Sequence, residues 1–160
     1  MKKHIFIALG ILFIGFCVWF LTAYVFITDT QRVHRVIESC RRSVEKGSIL
    51  QFSNQLAPKY EDASGTDKAT VLRFLFDFFQ ETENRSIRIT QLDLVMKDTQ
   101  AQAMIEFILR VDKPSSLANL SRSYSQDPLK PIRIHVWFAK IDNRWKITKT
   151  QRSHGRQFRR

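Results

Sequence analysis

Three things are scarce in this chain: cysteine, charge near its start, and acid near its end. There are two cysteines in 160 residues, Cys17 and Cys40. Cys17 lies inside a long apolar run and Cys40 beyond it, so an intramolecular disulfide is not expected. A lone thiol of this kind survives in reducing and oxidising compartments alike. No Cys/His spacing of the metal-ligating type occurs, and there is no nucleophile elbow, phosphate loop or zinc motif. No metal and no cofactor are therefore expected.

The second scarcity is the most informative. From Ile5 to Ile27 there are twenty-three residues without a charge, preceded by Lys2, Lys3 and His4 and followed by Asp29. As a helix this run would reach about 34 Å, enough to cross a bilayer core of ~30 Å with some tilt. A signal peptide has a shorter apolar region followed by small residues. Here Trp19, Phe20, Tyr24 and Phe26 occupy those positions, and Trp19 and Tyr24 suit an interfacial belt. Phe16 before Cys17 also argues against lipidation of that cysteine. The expectation is an uncleaved anchor over 1–28. Arg32, Arg35, Arg41 and Arg42 would favour the reverse orientation by charge counting. The four-residue basic start instead resembles a signal-anchor that stays inside. The favoured placement is a bacterial inner membrane with the C-terminal part in the periplasm.

The third scarcity shapes the other end. After Asn143 no acid occurs, but there are seven Lys or Arg residues: Arg144, Lys146, Lys149, Arg152, Arg156, Arg159 and Arg160. The overall formal charge is +11. Residues 152–160 read as a basic tail, with Arg152, Arg156, Arg159 and Arg160 as candidates for contact with an anionic surface. Anionic lipid or plain solvent is favoured there. Nucleic acid is disfavoured, because no recognition motif accompanies the charge.

What lies between, 29–151, is long enough for one domain with a real core and too short for two. Val33, Val36, Ile37, Cys40 and Val44 recur at helical spacing over Thr30 to Lys46, with Asp29 as a cap and Gly47 as a stop. A short helix is expected over Ser48 to Leu56, then a turn-rich link, then a third helix from Asp67 to about Thr82. That helix carries Val71, Leu72, Phe74, Leu75, Phe76, Phe78 and Phe79, so it is expected to be nearly buried. From Arg85 the period becomes two. Ile87 and Ile89 fall in one phase and Leu92, Leu94 and Met96 in the other, which a bulge near Thr90 and Gln91 would reconcile. Further strands are expected over Ala101 to Val111, Ile132 to Phe138, and from Trp145. The fold class is α+β: an anchor helix, then three helices packed on a curved four-stranded antiparallel sheet.

The helix pair, the link Tyr60-x-Asp62-x-x-Gly65, the aromatic helix, the bent sheet and the final Trp145-Lys146-Ile147 together resemble the nuclear transport factor 2-like (cystatin-like, SnoaL-like) cone superfamily. The resemblance covers roughly Thr30 to Gln151. It implies a cone with a pocket at its open end. Members include isomerases, cyclases, dehydratases, transport adaptors and bitopic subunits of secretion machines, so the fold does not choose an activity.

Within that frame, Tyr60, Asp62, Phe74, Phe78 and Phe107 are candidates for the pocket. Asp62 before Ser64 and Gly65 equally suits a turn, and the aromatics equally suit a core. Glu106 and His135 fall out of phase with the apolar series and are expected on the other sheet face, with no catalytic role. Met104, Ile108, His135 and Trp137 would form an apolar-aromatic interface there. The leading expectation is a non-enzymatic, membrane-anchored binding or assembly module whose partners are the bilayer and a protein or a second copy. The alternative is a lipid or small apolar ligand in the cone, and a cone-type isomerase or hydrolase ranks last.

Overall fold

A computed structural model describes residues 13–16, 28–112 and 131–153. The chain divides into two units at the Arg32–Val33 bond. In the first, 13–16 form a helical turn whose Phe13, Ile14 and Phe16 are exposed. The rest of the expected span at 5–27 lies outside the described residues. Among the described residues no helix is long and apolar enough to cross a membrane.

The order after residue 28 is three helices followed by four strands: α1 (Asp29–Lys46), α2 (Ile49–Ser53), α3 (Lys68–Glu81), β1 (Glu83–Lys97), β2 (Gln100–Asp112), β3 (Ile132–Ile141) and β4 (Arg144–Arg152). The strands form one antiparallel sheet in sequence order. This agrees with the expected α+β architecture.

α1 begins one residue earlier than expected. Its first turn takes a bond from Gln31 N–H to Thr28 Oγ1 at 3.3 Å, so Thr28 rather than Asp29 fills the capping role. Val33, Val36 and Ile37 bury one stripe of the helix. Gly47 ends it at φ +68. Its N–H donates to Val44 O at 3.2 Å and that of Ser48 to Ser43 O at 2.8 Å, the paired bonds of a glycine-terminated helix end. Ser48 then caps α2, which is shorter than expected.

The bulge expected near Thr90 is present. Ile89 pairs with Phe107 and Gln91 with Glu106, leaving Thr90 as the extra residue. The alternation changes phase there, so Ile87 and Ile89 share the inner face with Leu92, Leu94 and Met96. A second bulge interrupts β4 between its partners Trp137 and Phe138. The β3–β4 turn consists of Asp142 and Asn143, at φ +48 and +60, the double left-handed geometry that suits a twisted hairpin.

The core gathers Val33, Val36 and Ile37 with Leu56, Tyr60, Phe138, Trp145 and Ile147 against the inner sheet face. The free edge of β4 is covered by the link after α2. Ala57 N–H donates to Ile147 O and Ile147 N–H to Gln55 O, both at 2.8 Å, and Ala63 N–H donates to Thr150 O at 2.9 Å. This pairing removes an exposed strand edge.

α3 departs from expectation. None of its residues is buried, and Phe74 and Phe76 are 62% and 52% exposed. The apolar residues span well over half the helix circumference, more than one sheet face can cover. The two phenylalanines on the flanks of that arc are left in solvent. Asp67 caps this helix, accepting from Thr70 N–H at 2.9 Å.

Candidate functional site: an apolar cavity in the cone

α3 packs Val71 and Leu72 against the core and, beyond them, walls a cavity of about 390 Å³. α1 contributes Ile37, Cys40, Arg41 and Val44, α2 contributes Phe52, and α3 contributes Leu75 and Phe78. The sheet supplies the floor: Ile87 and Ile89 from β1, Ile105, Phe107 and Leu109 from β2, Ile134, Val136 and Phe138 from β3, and Ile147 and Thr150 from β4. The volume is in the range of small-molecule sites. Among these lining residues there is no acid, histidine or tyrosine.

The few polar groups of the wall are engaged. Thr150 Oγ1 lies 2.6 Å from Tyr60 Oη. Burial raises the Tyr60 pKa above the usual phenol range. Thr150 reaches the cavity because of the β4 bulge, which allows Ile147 and Thr150, three positions apart, to face inward together. Arg41 is chelated by two carboxylates of its own helix. Its Nε and Nη2 donate to Glu38 at 2.8 and 2.6 Å, and its Nη1 donates to both oxygens of Glu45 at 2.8 Å. The Arg41 guanidinium holds the Glu38 carboxyl down at about 2, with Arg42 assisting. Glu45 also accepts from Ile87 N–H at 2.9 Å, tying α1 to β1 at the cavity wall. Burial pushes the Cys40 thiol up to about 12, so it is a neutral part of the lining.

Of the five pocket candidates, the cavity brings together Phe78 and Phe107. Tyr60 is not among the lining residues; it is buried in the core behind them and hydrogen-bonds the lining residue Thr150. Phe74 points to solvent. Asp62 organises its own turn. Its Oδ1 accepts from Ser64 N–H at 2.8 Å, Ser64 Oγ at 2.7 Å and Thr66 N–H at 2.8 Å. Burial opposes the charged form of Asp62, but these bonds outweigh it and hold the carboxyl below its usual range. Gly65, at φ +84, completes the turn.

On the outer sheet face Met104 lies opposite His135, and the His135 and Trp137 rings are 5.9 Å apart. Lys149 Nζ stands 5.9 Å from the Trp137 ring. Ile108 is set apart from this cluster by Glu106, which accepts from Arg133 at 2.6 and 3.0 Å. Glu106 and His135 thus occupy the outer face. Arg152 belongs to β4 and pairs with Ile134, while Arg156, Arg159 and Arg160 lie outside the described residues.

Arg85 escaped the sequence reading. Its Nε donates to Val44 O at 3.0 Å, and its Nη1 donates to Phe79 O and Thr82 O at 3.1 and 2.7 Å. One guanidinium therefore closes the carbonyl ends of both α1 and α3, while stacking 4.8 Å from the Phe79 ring. A Cβ on Gly47 would meet its Nη2 at 2.6 Å. A basic residue just after a helix is the only signal that points to it.

Three helices against a bent, four-stranded antiparallel sheet, open around an apolar cavity, define an NTF2-like (cystatin-like) cone. Solved structures share this fold. An NTF2-like protein from Cytophaga hutchinsonii is similar over 79% of this chain and 98% of its own, at TM-score 0.61 and 7% identity. A candidate dehydratase of the NTF2-like family from Streptomyces avermitilis matches over 76% and 92%, at TM-score 0.57 and 14% identity. Bd1075 of Bdellovibrio bacteriovorus matches at TM-score 0.61 and 14% identity, over 77% of this chain, which spans only 40% of that protein. No family model and no curated protein matches the chain.

Proposed function

We propose that this chain is a membrane-tethered, non-catalytic binding module that holds an apolar molecule in its cone. The observation that carries this reading is the cavity wall, built from aliphatic and aromatic side chains on all four strands and three helices. A fold neighbour is described as a candidate dehydratase, and such chemistry needs a titratable group in reach of the bound molecule. The described lining offers none in a suitable state: its thiol is held neutral and its arginine is paired. The uncharged run from Ile5 to Ile27 supports a tether, which would place the cone beside a reservoir of hydrocarbon chains. Native mass spectrometry of the full chain released from nanodiscs tests the reading. The wild type is expected to carry a single apolar adduct, and the cavity-filling substitution Leu109→Trp to lose it with its circular dichroism unchanged. A wild type released without any adduct contradicts the proposal.

A second reading is assembly through the outer sheet face, favoured by the clustering of Met104, His135 and Trp137. Trp137→Ala is then expected to abolish a cross-linked species while leaving the domain folded.

A further inference from the structure

The wall of the cavity says which end of an amphiphile it accepts. This inference rests on the binding role proposed above and narrows its ligand. We infer that the cone takes a neutral hydrocarbon chain and that, among the described residues, its lining offers no unpaired ion partner to a carboxylate or phosphate headgroup.

Arg41 is the one charged residue among the described lining. A lone arginine in an apolar pocket is ordinarily the group that would draw a fatty acid carboxylate, through a paired, charge-assisted contact. Here its guanidinium is already clasped by Glu38 on one side and Glu45 on the other, all at 2.6 to 2.8 Å. Arg42 adds a further bond to Glu38 at 2.9 Å. The four groups Glu38, Arg41, Arg42 and Glu45 sum to no net charge, so this cluster offers an anion no net positive charge. Seating a carboxylate against Arg41 would displace one of its own, and Glu45 is fixed from its other side by Ile87 N–H. An exchange of one carboxylate for another gains little, while the incoming headgroup loses its water.

The other polar lining group, Thr150, is uncharged and already bonded to Tyr60, so it gives an anion no charge to pair with. Cys40 is neutral there and is at most a weak donor. What remains is aliphatic and aromatic surface, which recognises methylene groups by removing them from water at roughly 0.8 kcal/mol each. The fitting ligand is thus an alkyl or isoprenoid chain whose polar end, where it comes within reach of this lining, is uncharged.

The test uses the full chain in nanodiscs and two photoreactive probes of equal length, a diazirine-bearing hexadecanol and the corresponding hexadecanoate, at a pH where the acid is ionised. Adducts on peptides of α3, β2 and β3 are normalised to adducts on the disc scaffold. The alcohol is expected to label the cavity about tenfold more than the acid, a ratio equivalent to ~1.4 kcal/mol. Replacing Glu38→Gln together with Glu45→Gln leaves an amide oxygen for Ile87 N–H and releases Arg41, so acid labelling is expected to rise toward that of the alcohol. Glu38→Gln alone, the milder change, is expected to move it part of the way. Equal labelling by both probes in the wild type overturns the inference while leaving the binding role standing. Acid labelling unmoved by either variant also overturns it. If neither probe labels the cavity, the binding role itself falls and the inference with it.

Discussion

α1 and α3 both wall the cavity over the inner sheet face, yet they are held in different ways. α1 has a modest apolar stripe and buries it: Val33, Val36 and Ile37 are in the core. α3 has the greater apolar content and buries no residue. The difference shows that burial follows the surface available to cover a helix, not the number of apolar residues on it. α1 sets Val33, Val36 and Ile37 in one cluster with Phe138, Trp145 and Ile147, and continues into the cavity wall at Cys40, Arg41 and Val44. α3 sets only the part-exposed Val71 and Leu72 against that cluster, and its Leu75 and Phe78 line the cavity. A helix so placed gives up dispersion contacts on its inner side, and a ligand would restore them.

The largest effect that separates the two helices is expected from truncation. Ile37→Ala on α1 is expected to cost about 3 kcal/mol, as deletions of buried aliphatic groups do. Phe74→Ala on α3 is expected to stay within about 0.5 kcal/mol, as at exposed sites. Urea unfolding of the full chain in micelles measures both, and equal losses would erase the distinction. Next comes Arg85→Ala, which unties the carbonyl ends of both helices at once. Loss of these charge-assisted bonds is expected to cost about 2 kcal/mol. Hydrogen exchange should quicken in the last turns of α1 and α3 together. A change in only one would show that the shared clamp is not what joins them.

The smallest effect is a pH dependence confined to α1. The Glu38 carboxyl is held at about 2 against an ordinary 4.5, chiefly by Arg41. Because the folded value is the lower one, the pair's contribution is fully present above about 4.5 and fades as pH falls toward 2. The pair is partly exposed, so the contribution is small. Acid titration of the wild type and Glu38→Gln is expected to give stability curves that converge across that window; parallel curves would remove Glu38 from the account.

Much of the fold was legible because the signals are local. The phase change between Ile89 and Leu92 announced the bulge at Thr90, and Gly47, Asp67 and Asp142-Asn143 marked the ends of elements. The depth of α3 was not legible, because an aromatic helix against a packed core and one against a void share the same pattern. Phe78 could be read as facing inward, but Phe74 could not be told from it by spacing alone. Thr150 was hidden by a bulge in β4 that no apolar alternation reveals, since Lys149 and Gln151 flank it. Arg85 was hidden because its partners are backbone carbonyls up to forty-one positions away. The neutralisation of Arg41, on which the proposed ligand class rests, was present in the helical spacing of Glu38, Arg41 and Glu45. Its meaning appeared only with the cavity beside it.

The central claim is that the apolar space under α3 is a binding site. The most direct measurement is the position of adducts formed by the diazirine-bearing alcohol on the full chain in nanodiscs, mapped residue by residue. The account predicts adducts on Phe78, Phe107 and Ile134, lost when Leu109→Trp fills the space. Adducts confined to 5–27 and to Trp137 on the outer sheet face, with the cavity unlabelled, would contradict it.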